Sequence, residues 1–482
     1  MSLPFILLLV GILTVVGGII RFKLHAFLAL TLAALVVGLF TPKELLVKHF
    51  HQEKGETIEQ ANKLAEKNIG TRLAEGFGRT STKIGILIAM AAIIGTCLME
   101  SGGALRIVRS FLSLLGEKRA PEALAGSSFL LGIPVFFDTL FYLMIPLARA
   151  LAAQTRKNYV LYVMAIVAGG AMTHSLVPPT PGPLVVAGEL GVDLGRMIVG
   201  GILVGLVGMT GAFAYARWYN KNHPIELKDT SDQKENKFLR LAETPDEQLP
   251  GLFASLSPIL IPVLLIAGKS IVLQFAPTGG DGVQGMIWDS LMILGDKNLA
   301  LTLGALLALR QLLKSKLQEK PELAESVKSS LQSAGVIILI TGMGGAFGGI
   351  LQQTSLGLEV SAFVSSQNFG SLAILVVAYF TTSVIRIAQG SATVAMVTSI
   401  GIVGGLVEQG IGIHPVYLAL AIGCGAKPIP WMNDSGFWVV GKLSGFTEAE
   451  TFKTFSIVIA LQGVFGGIAV LTLAYFLPNF IF

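Results

Sequence analysis

Residues 171–186 read AMTHSLVPPTPGPLVV, and the reading of this stretch decides the fold. Apolar residues flank it on both sides, yet it holds Thr173, His174, Ser175 and Thr180 together with Pro178, Pro179, Pro181 and Pro183. A proline inside a helix removes a backbone hydrogen bond and clashes with the preceding turn. Such a cluster ends one helix and starts another. The chain around it is apolar enough to lie in lipid: its 482 residues are 52% hydrophobic and only 13% charged, against about 25% charged in soluble domains, and its mean hydropathy is +0.70. Non-helical backbone at membrane depth is tolerated only where it is buried in protein or lines a wet cavity. The break therefore marks a polar place inside an all-α polytopic membrane protein.

Working outward, a span needs about 20 apolar residues at 1.5 Å rise each. Runs of that kind fall at 2–20, 24–40, 81–99, 158–190, 196–216, 251–275, 298–314, 331–352, 415–441 and 455–478, with 158–190 and 415–441 broken. Two more stretches, 121–154 and 371–407, are apolar but interrupted midway. The N-terminal run has its positive charges, Arg21 and Lys23, after the apolar residues, so it reads as a first span and not as a cleaved signal. Residues 41–80 form a polar insert with an amphipathic helical pattern over 44–68.

Loop Lys and Arg favour the cytoplasmic side. Arg106, Arg109, Lys118 and Arg119 precede the first interrupted stretch, and Arg149, Arg156 and Lys157 follow it. Both ends of 121–154 are then cytoplasmic, which makes it a re-entrant hairpin with its tip at 132–139. Segments 353–370 and 408–414 contain no Lys or Arg, so both ends of 371–407 face outside, and a second hairpin turns at 386–395. The external insert 41–80 is basic as well, balanced by glutamates, and runs against this rule.

The order of elements repeats: three spans, a hairpin, a broken span and a span. The fold expected is two inverted repeats, each with five crossings, one re-entrant hairpin and one broken helix. Residues 1–216 are the first repeat, 217–250 a cytoplasmic linker and 251–482 the second repeat. Both termini are placed outside, in the periplasm of an inner-membrane protein. Inverted repeats with broken helices organise secondary transporters around a site at the midplane.

Four breaks converge in this scheme, at 134–139, 178–183, 388–392 and 427–435. Half-helices starting there present free N–H groups and the positive end of the helix dipole, which attract an anion. Ionisable residues inside a membrane are costly and mark function. Asp138 sits at the first tip, His174 before the first break and Asp434 after the second; these three form the proton-coupling set. Asp138 is the expected carrier, since low dielectric favours the neutral acid. Asp434 also suits an N-cap. The expected substrate-binding set is Phe137, Thr173, Ser175, Thr180 and Gly182 from the first repeat, with Arg386, Gln389, Gly390, Ser391, Thr393, Asn433 and Ser435 from the second. Arg386 is either a clamp for a substrate carboxylate or the partner of an aspartate. The Ser and Thr hydroxyls have the plainer option of bonding carbonyls in their own helices.

Other features carry less. Cys97 and Cys424 lie in apolar segments and read as small buried hydrophobes; no metal-ligand spacing or disulfide framework is present, and no cofactor is implied. The run GMGGAFGGI at 342–350 only superficially resembles a phosphate loop, and in an apolar span it reads as close helix packing. No basic, aromatic-interleaved patch points to nucleic acid.

The motifs ESGGALRIV (100–108), FFD (136–138), THSLVPPTPGP (173–183), RIAQGSATVA (386–395) and NDSGFW (433–438) make the chain similar, over nearly its whole length, to the gluconate permease (GntP) family of the ion transporter superfamily. The resemblance implies proton-coupled uptake of sugar acids or small hydroxy and amino acids, including gluconate, glycerate and D-serine, and a homodimer. The chain departs from the family pattern at Thr180, where a histidine is common, at Asp138, where glutamate is frequent, at Lys427, which is added, and in the insert at 45–70. A sodium-coupled or exchange carrier of small organic anions is a second reading, since Ser391, Thr393 and Asn433 could ligate Na⁺. A channel and a membrane-embedded enzyme using His174 and Asp138 are remote ones, the latter lacking a nucleophile or metal set.

Overall fold

The computed structural model describes residues 2–479 except 156, 228–243, 276–282, 316–321, 357, 359–370, 405–411 and 433. The described residues form helices and connecting turns, without strands. In chain order they are α1 (Leu3–Ile20), α2 (Ala26–Phe40), α3 (Lys43–Lys48), α4 (Ile58–Ala65), α5 (Ile69–Glu100), α6 (Gly103–Leu115), α7 (Ala120–Leu131), α8 (Phe137–Thr155), α9 (Tyr159–Leu176), α10 (Pro181–Glu189) and α11 (Leu194–Asn222). There follow α12 (Leu252–Phe275), α13 (Val283–Leu294), α14 (Lys297–Leu313), α15 (Leu323–Gln352), α16 (Ser371–Gln389), α17 (Ala392–Val403), α18 (Val416–Gly425), α19 (Ser435–Ser444) and α20 (Glu448–Phe476). Six helices are long and apolar enough to cross a membrane, or up to eight if each of two bent pairs is one span. The chain is a multi-pass membrane protein.

All four expected breaks are present, each with a local cause. Val177, before Pro178, is extended at φ −110° and ψ 114°, the conformation a following proline imposes; α10 then opens with Pro181 at a position where the missing N–H costs nothing. Gly132 and Pro134 separate α7 from α8. Gly390, at φ +81°, takes the left-handed turn between α16 and α17 that favours glycine, and Ser391 caps α17 by accepting from Val394 N at 3.3 Å. Pro428 and Pro430 interrupt the last broken span, and Asp434 caps α19 by accepting from Phe437 N at 3.1 Å.

Boundaries differ from the sequence reading mainly where polar residues extend an apolar helix. Helix α5 starts at Ile69, so the end of the 41–80 insert belongs to a long helix; Asn68 caps it by accepting from Thr71 N at 2.8 Å. Helix α11 likewise runs on to Asn222, into the linker. Helices α6 and α13 had no counterpart among the expected spans.

The packing comes in matched pairs. Helix α1 packs on α2 and α12 on α14; α7 on α9 and α16 on α18; α9 on α11 and α18 on α20. Across the halves, α2 meets α15 while α14 meets α5, and α10 meets α17 while α19 meets α8. Two contacts join like to like, α5 with α15 and α11 with α20.

The glycines of 342–350 permit the first of these. A Cβ on Gly345 would lie 2.0 Å from Thr80 Oγ1 on α5, and one on Gly348 would lie 2.6 Å from Gly401 Cα on α17. We expect Gly348→Ala to lower the thermal unfolding temperature in detergent, at a cost of about 1–3 kcal/mol for forced overpacking. Gly335→Ala, on the same helix with nothing within 4 Å of the added carbon, should leave it unchanged or raise it.

Candidate functional site

Helices α8, α10, α17 and α19 all begin at breaks, and their N-termini abut in two pairs. A Cβ on Gly182 would stand 3.7 Å from Thr393 Cα and would collide with Met396, so the start of α10 lies on the start of α17. A Cβ on Gly436 would stand 3.5 Å from the Phe137 ring, so the start of α19 lies on the start of α8. There the Asp138 carboxyl is hydrogen-bonded to the Ser435 side chain and shares a field with Asp434. Each pair joins one half of the chain to the other.

Around the second pair lies a group of charges. The Arg386 guanidinium, 3% exposed, donates from Nε to Ala426 O at 3.0 Å and from Nη2 to Asp434 Oδ2. Asp434 thus accepts from a helix N-terminus through one oxygen and from Arg386 through the other. Of the two readings of Arg386, the aspartate partner is the one present in the structure. Its Nη1 is buried without a hydrogen-bond partner among the described residues. The Lys427 ammonium, also 3% exposed, donates to Ala171 O on α9. It lies in the electrostatic neighbourhood of Arg386, Asp434 and His174.

Helix α9 brings His174 and Ser175 to the same place. The imidazole meets the Phe136 ring edge-on, with centroids 6.2 Å apart, and its Nδ1 is buried and unpartnered, as is Ser175 Oγ. Thr173 and Thr180 behave otherwise. Their hydroxyls bond local carbonyls, Gly170 O at 3.3 Å and Val177 O at 2.6 Å, the plainer option for such residues. Thr180 also borders a small, mostly apolar cavity lined by Ile88, Ala91, Pro134, Phe136 and Pro179. Ser391 spends its hydroxyl on the α17 cap, while Gly390 is buried at the turn. Asn433 lies outside the described residues, and so does the Gln389 side chain.

Sequence reasoning therefore found Asp138, His174, Ser175, Arg386, Asp434 and Ser435 at the place where they meet. It missed the part of Lys427, although a lysine inside a broken span was a signal of its own. It also missed Gln462 on α20, whose Nε2 donates to Ala168 O at 2.6 Å and so ties α20 to α9.

Half-helix N-termini in facing pairs, with buried charged side chains beside the α8–α19 pair, suit a membrane transporter of small molecules, and by family and relatives the chain is a permease. It belongs to the GntP family: the model of the GntP family permeases matches residues 3–476. The chain is 30% identical over 486 residues to a gluconate permease of Pseudomonas aeruginosa, covering 97% of each chain. It is also 30% identical to an uncharacterized permease of Haemophilus influenzae, covering 100% of this chain and 93% of that one. Among solved structures, the YdaH transporter of Alcanivorax borkumensis superposes with a TM-score of 0.57 at 13% identity, over 83% of this chain and 88% of that one, a likeness of fold.

The Arg386–Asp434 pair gives a stability test. Removing one partner leaves a buried uncompensated charge, which costs about 3–5 kcal/mol. Arg386→Met and Asp434→Leu should each lower the unfolding temperature strongly. The double variant should recover most of the loss, short of the roughly 1 kcal/mol contributed by the Asp434 cap.

Proposed function

We propose that this permease is a proton-coupled symporter of gluconate or a closely related small hydroxylated carboxylate, built as two inverted repeats over 1–216 and 251–482. The observation that carries the reading is the charge balance of the enclosed group. Arg386 and Lys427 are matched in number by Asp138 and Asp434, so the group is neutral when all four are ionised. An entering carboxylate adds one negative charge in a low-dielectric setting, where uncompensated charge is costly. One proton restores neutrality. Anion and proton then favour each other's binding, and that favour is reciprocal. Asp138 is the carrier in this reading, because Asp434 is committed to Arg386 and to the α19 cap. The relatives that are gluconate permeases support gluconate as the first substrate to test.

Several contacts favour the inverted arrangement. Gln154 Nε2 donates to Glu117 Oε1 at 3.1 Å, which brings the two ends of the first hairpin to one side. Asp246, at the end of the linker, pairs with Arg106 and Arg109 on α6, and Arg217 pairs with Glu122, so linker and hairpin ends share that side. By the charge rule it is the cytoplasm, and both chain termini are then external. The exchanged packing of α2 with α15 and α14 with α5 is what a two-fold relation between halves requires. A cysteine placed at 118 and another at 155 should both label from the cytoplasm, against buried native Cys97 and Cys424. External labelling at either would show a spanning helix and end the inverted-repeat reading.

Function is tested with labelled gluconate in proteoliposomes. Uphill uptake should follow an imposed proton gradient and collapse with a protonophore. Asp138→Asn should abolish accumulation while counterflow persists. Accumulation by that variant with unchanged pH dependence would remove Asp138 as the carrier. Uptake driven by a sodium gradient alone would replace proton coupling by the sodium alternative.

A further inference from the structure

Arg386 and Lys427 are both buried cations, but they are not equally occupied. Arg386 has an anionic partner in Asp434. Lys427 has a neutral one, the Ala171 carbonyl. Asp434 is already shared between the Arg386 guanidinium and the α19 cap, so Lys427 Nζ is buried with no carboxylate bonded to it among the described residues. A buried charge in that position is stabilised by an anion that binds beside it.

The carbonyl that holds Lys427 belongs to Ala171, and residues 171, 174 and 175 share one face of α9 by the i, i+3 and i+4 spacing. His174 Nδ1 and Ser175 Oγ are the buried polar atoms without a partner on that face. Buried polar groups are nearly always hydrogen-bonded in native proteins, and Ser175 is 1% exposed, out of reach of bulk water. Arg386 Nη1, also unpartnered, lies in the neighbourhood of the same ammonium. A cation with spare donors, a hydroxyl, an imidazole nitrogen and a guanidinium N–H suit a carboxylate that carries a neighbouring hydroxyl.

We propose that Lys427 is the specificity-determining residue that takes the substrate's carboxylate directly, with Ser175 and His174 of α9 receiving an adjacent hydroxyl. This rests on the reading of the site as one for a small hydroxylated carboxylate. Arg386 is by contrast a positioning residue that holds Asp434.

The test compares gluconate with its uncharged amide, gluconamide, in binding to the purified full-length protein. The wild type should prefer gluconate. A hydrogen bond to a charged group sets the expected loss in Lys427→Gln at about ten- to hundredfold for gluconate, with little change for gluconamide, so the preference collapses. Lys427→Arg should keep part of it. A lysine that merely ties the second break to α9 would weaken both ligands equally; an unchanged preference in Lys427→Gln overturns the proposal. If that variant does not fold, Ser175→Ala decides, because its hydroxyl has no hydrogen-bond partner among the described residues. A loss of about two- to tenfold in gluconate affinity at an unchanged unfolding temperature supports the site, and unchanged affinity overturns it. Wild-type protein that ignores gluconate but binds another small carboxylate overturns gluconate alone, and the preference is then read with that acid and its amide. Wild-type protein that binds no carboxylate overturns both.

Discussion

Backbone that leaves the helix inside a membrane must find partners within the protein, because lipid offers none. This chain leaves the helix four times, and the rest of the structure follows from how those breaks are housed. Each is pressed against a break from the other half of the chain: the start of α10 on α17, the start of α19 on α8. Pairing them this way brings positive dipole ends together. That arrangement is unfavourable without negative charge nearby, and at the α8–α19 pair Asp138 and Asp434 supply it within the first turn and at the cap. The acids are therefore part of the fold before they are part of any transport step.

Close approach requires small residues where helices cross. The crossing of α5 and α15 works because Gly342 and Gly345 admit Phe77 and Thr80. Gly348 and Gly401 let α15 touch α17 backbone to backbone, and Gly95 does the same for α5 against Pro134 at the first hairpin tip. The long helices α5 and α15 thus pack on the break before α8 and on the far end of α17 respectively. With helices as apolar as the lipid around them, such close packing supplies association that hydrophobic burial cannot.

Much of this was legible in the sequence because proline and glycine act locally. Pro178 to Pro183, Gly132 with Pro134, Gly390, and Pro428 with Pro430 each interrupt a helix whatever surrounds them, so the breaks could be read without knowing the tertiary structure. The partners of polar side chains could not be read this way. Arg386 lies 48 residues before Asp434, and only the folding of α16 against α18 decides that the two meet. Position alone names Thr173 and Thr180, and which of their two options the hydroxyls take, the local carbonyls, is seen only in the structure. Helix ends were misplaced for a related reason: hydropathy stops at the membrane boundary, whereas α5 continues beyond it on its Asn68 cap.

In the proposed symport, the buried charges would tie selectivity to coupling. A group of two basic and two acidic side chains enclosed among helices cannot accept a further charge without either a counter-charge or a large desolvation cost. Were Lys427 an apolar residue, as the surrounding sequence would lead one to expect, the group would carry one net negative charge with both acids ionised and would repel a carboxylate. With all four groups ionised it is balanced, and in the proposed reading one proton would offset one substrate anion. On that reading a change at position 427 would alter the ion stoichiometry along with the affinity, because the same side chain would contribute to both.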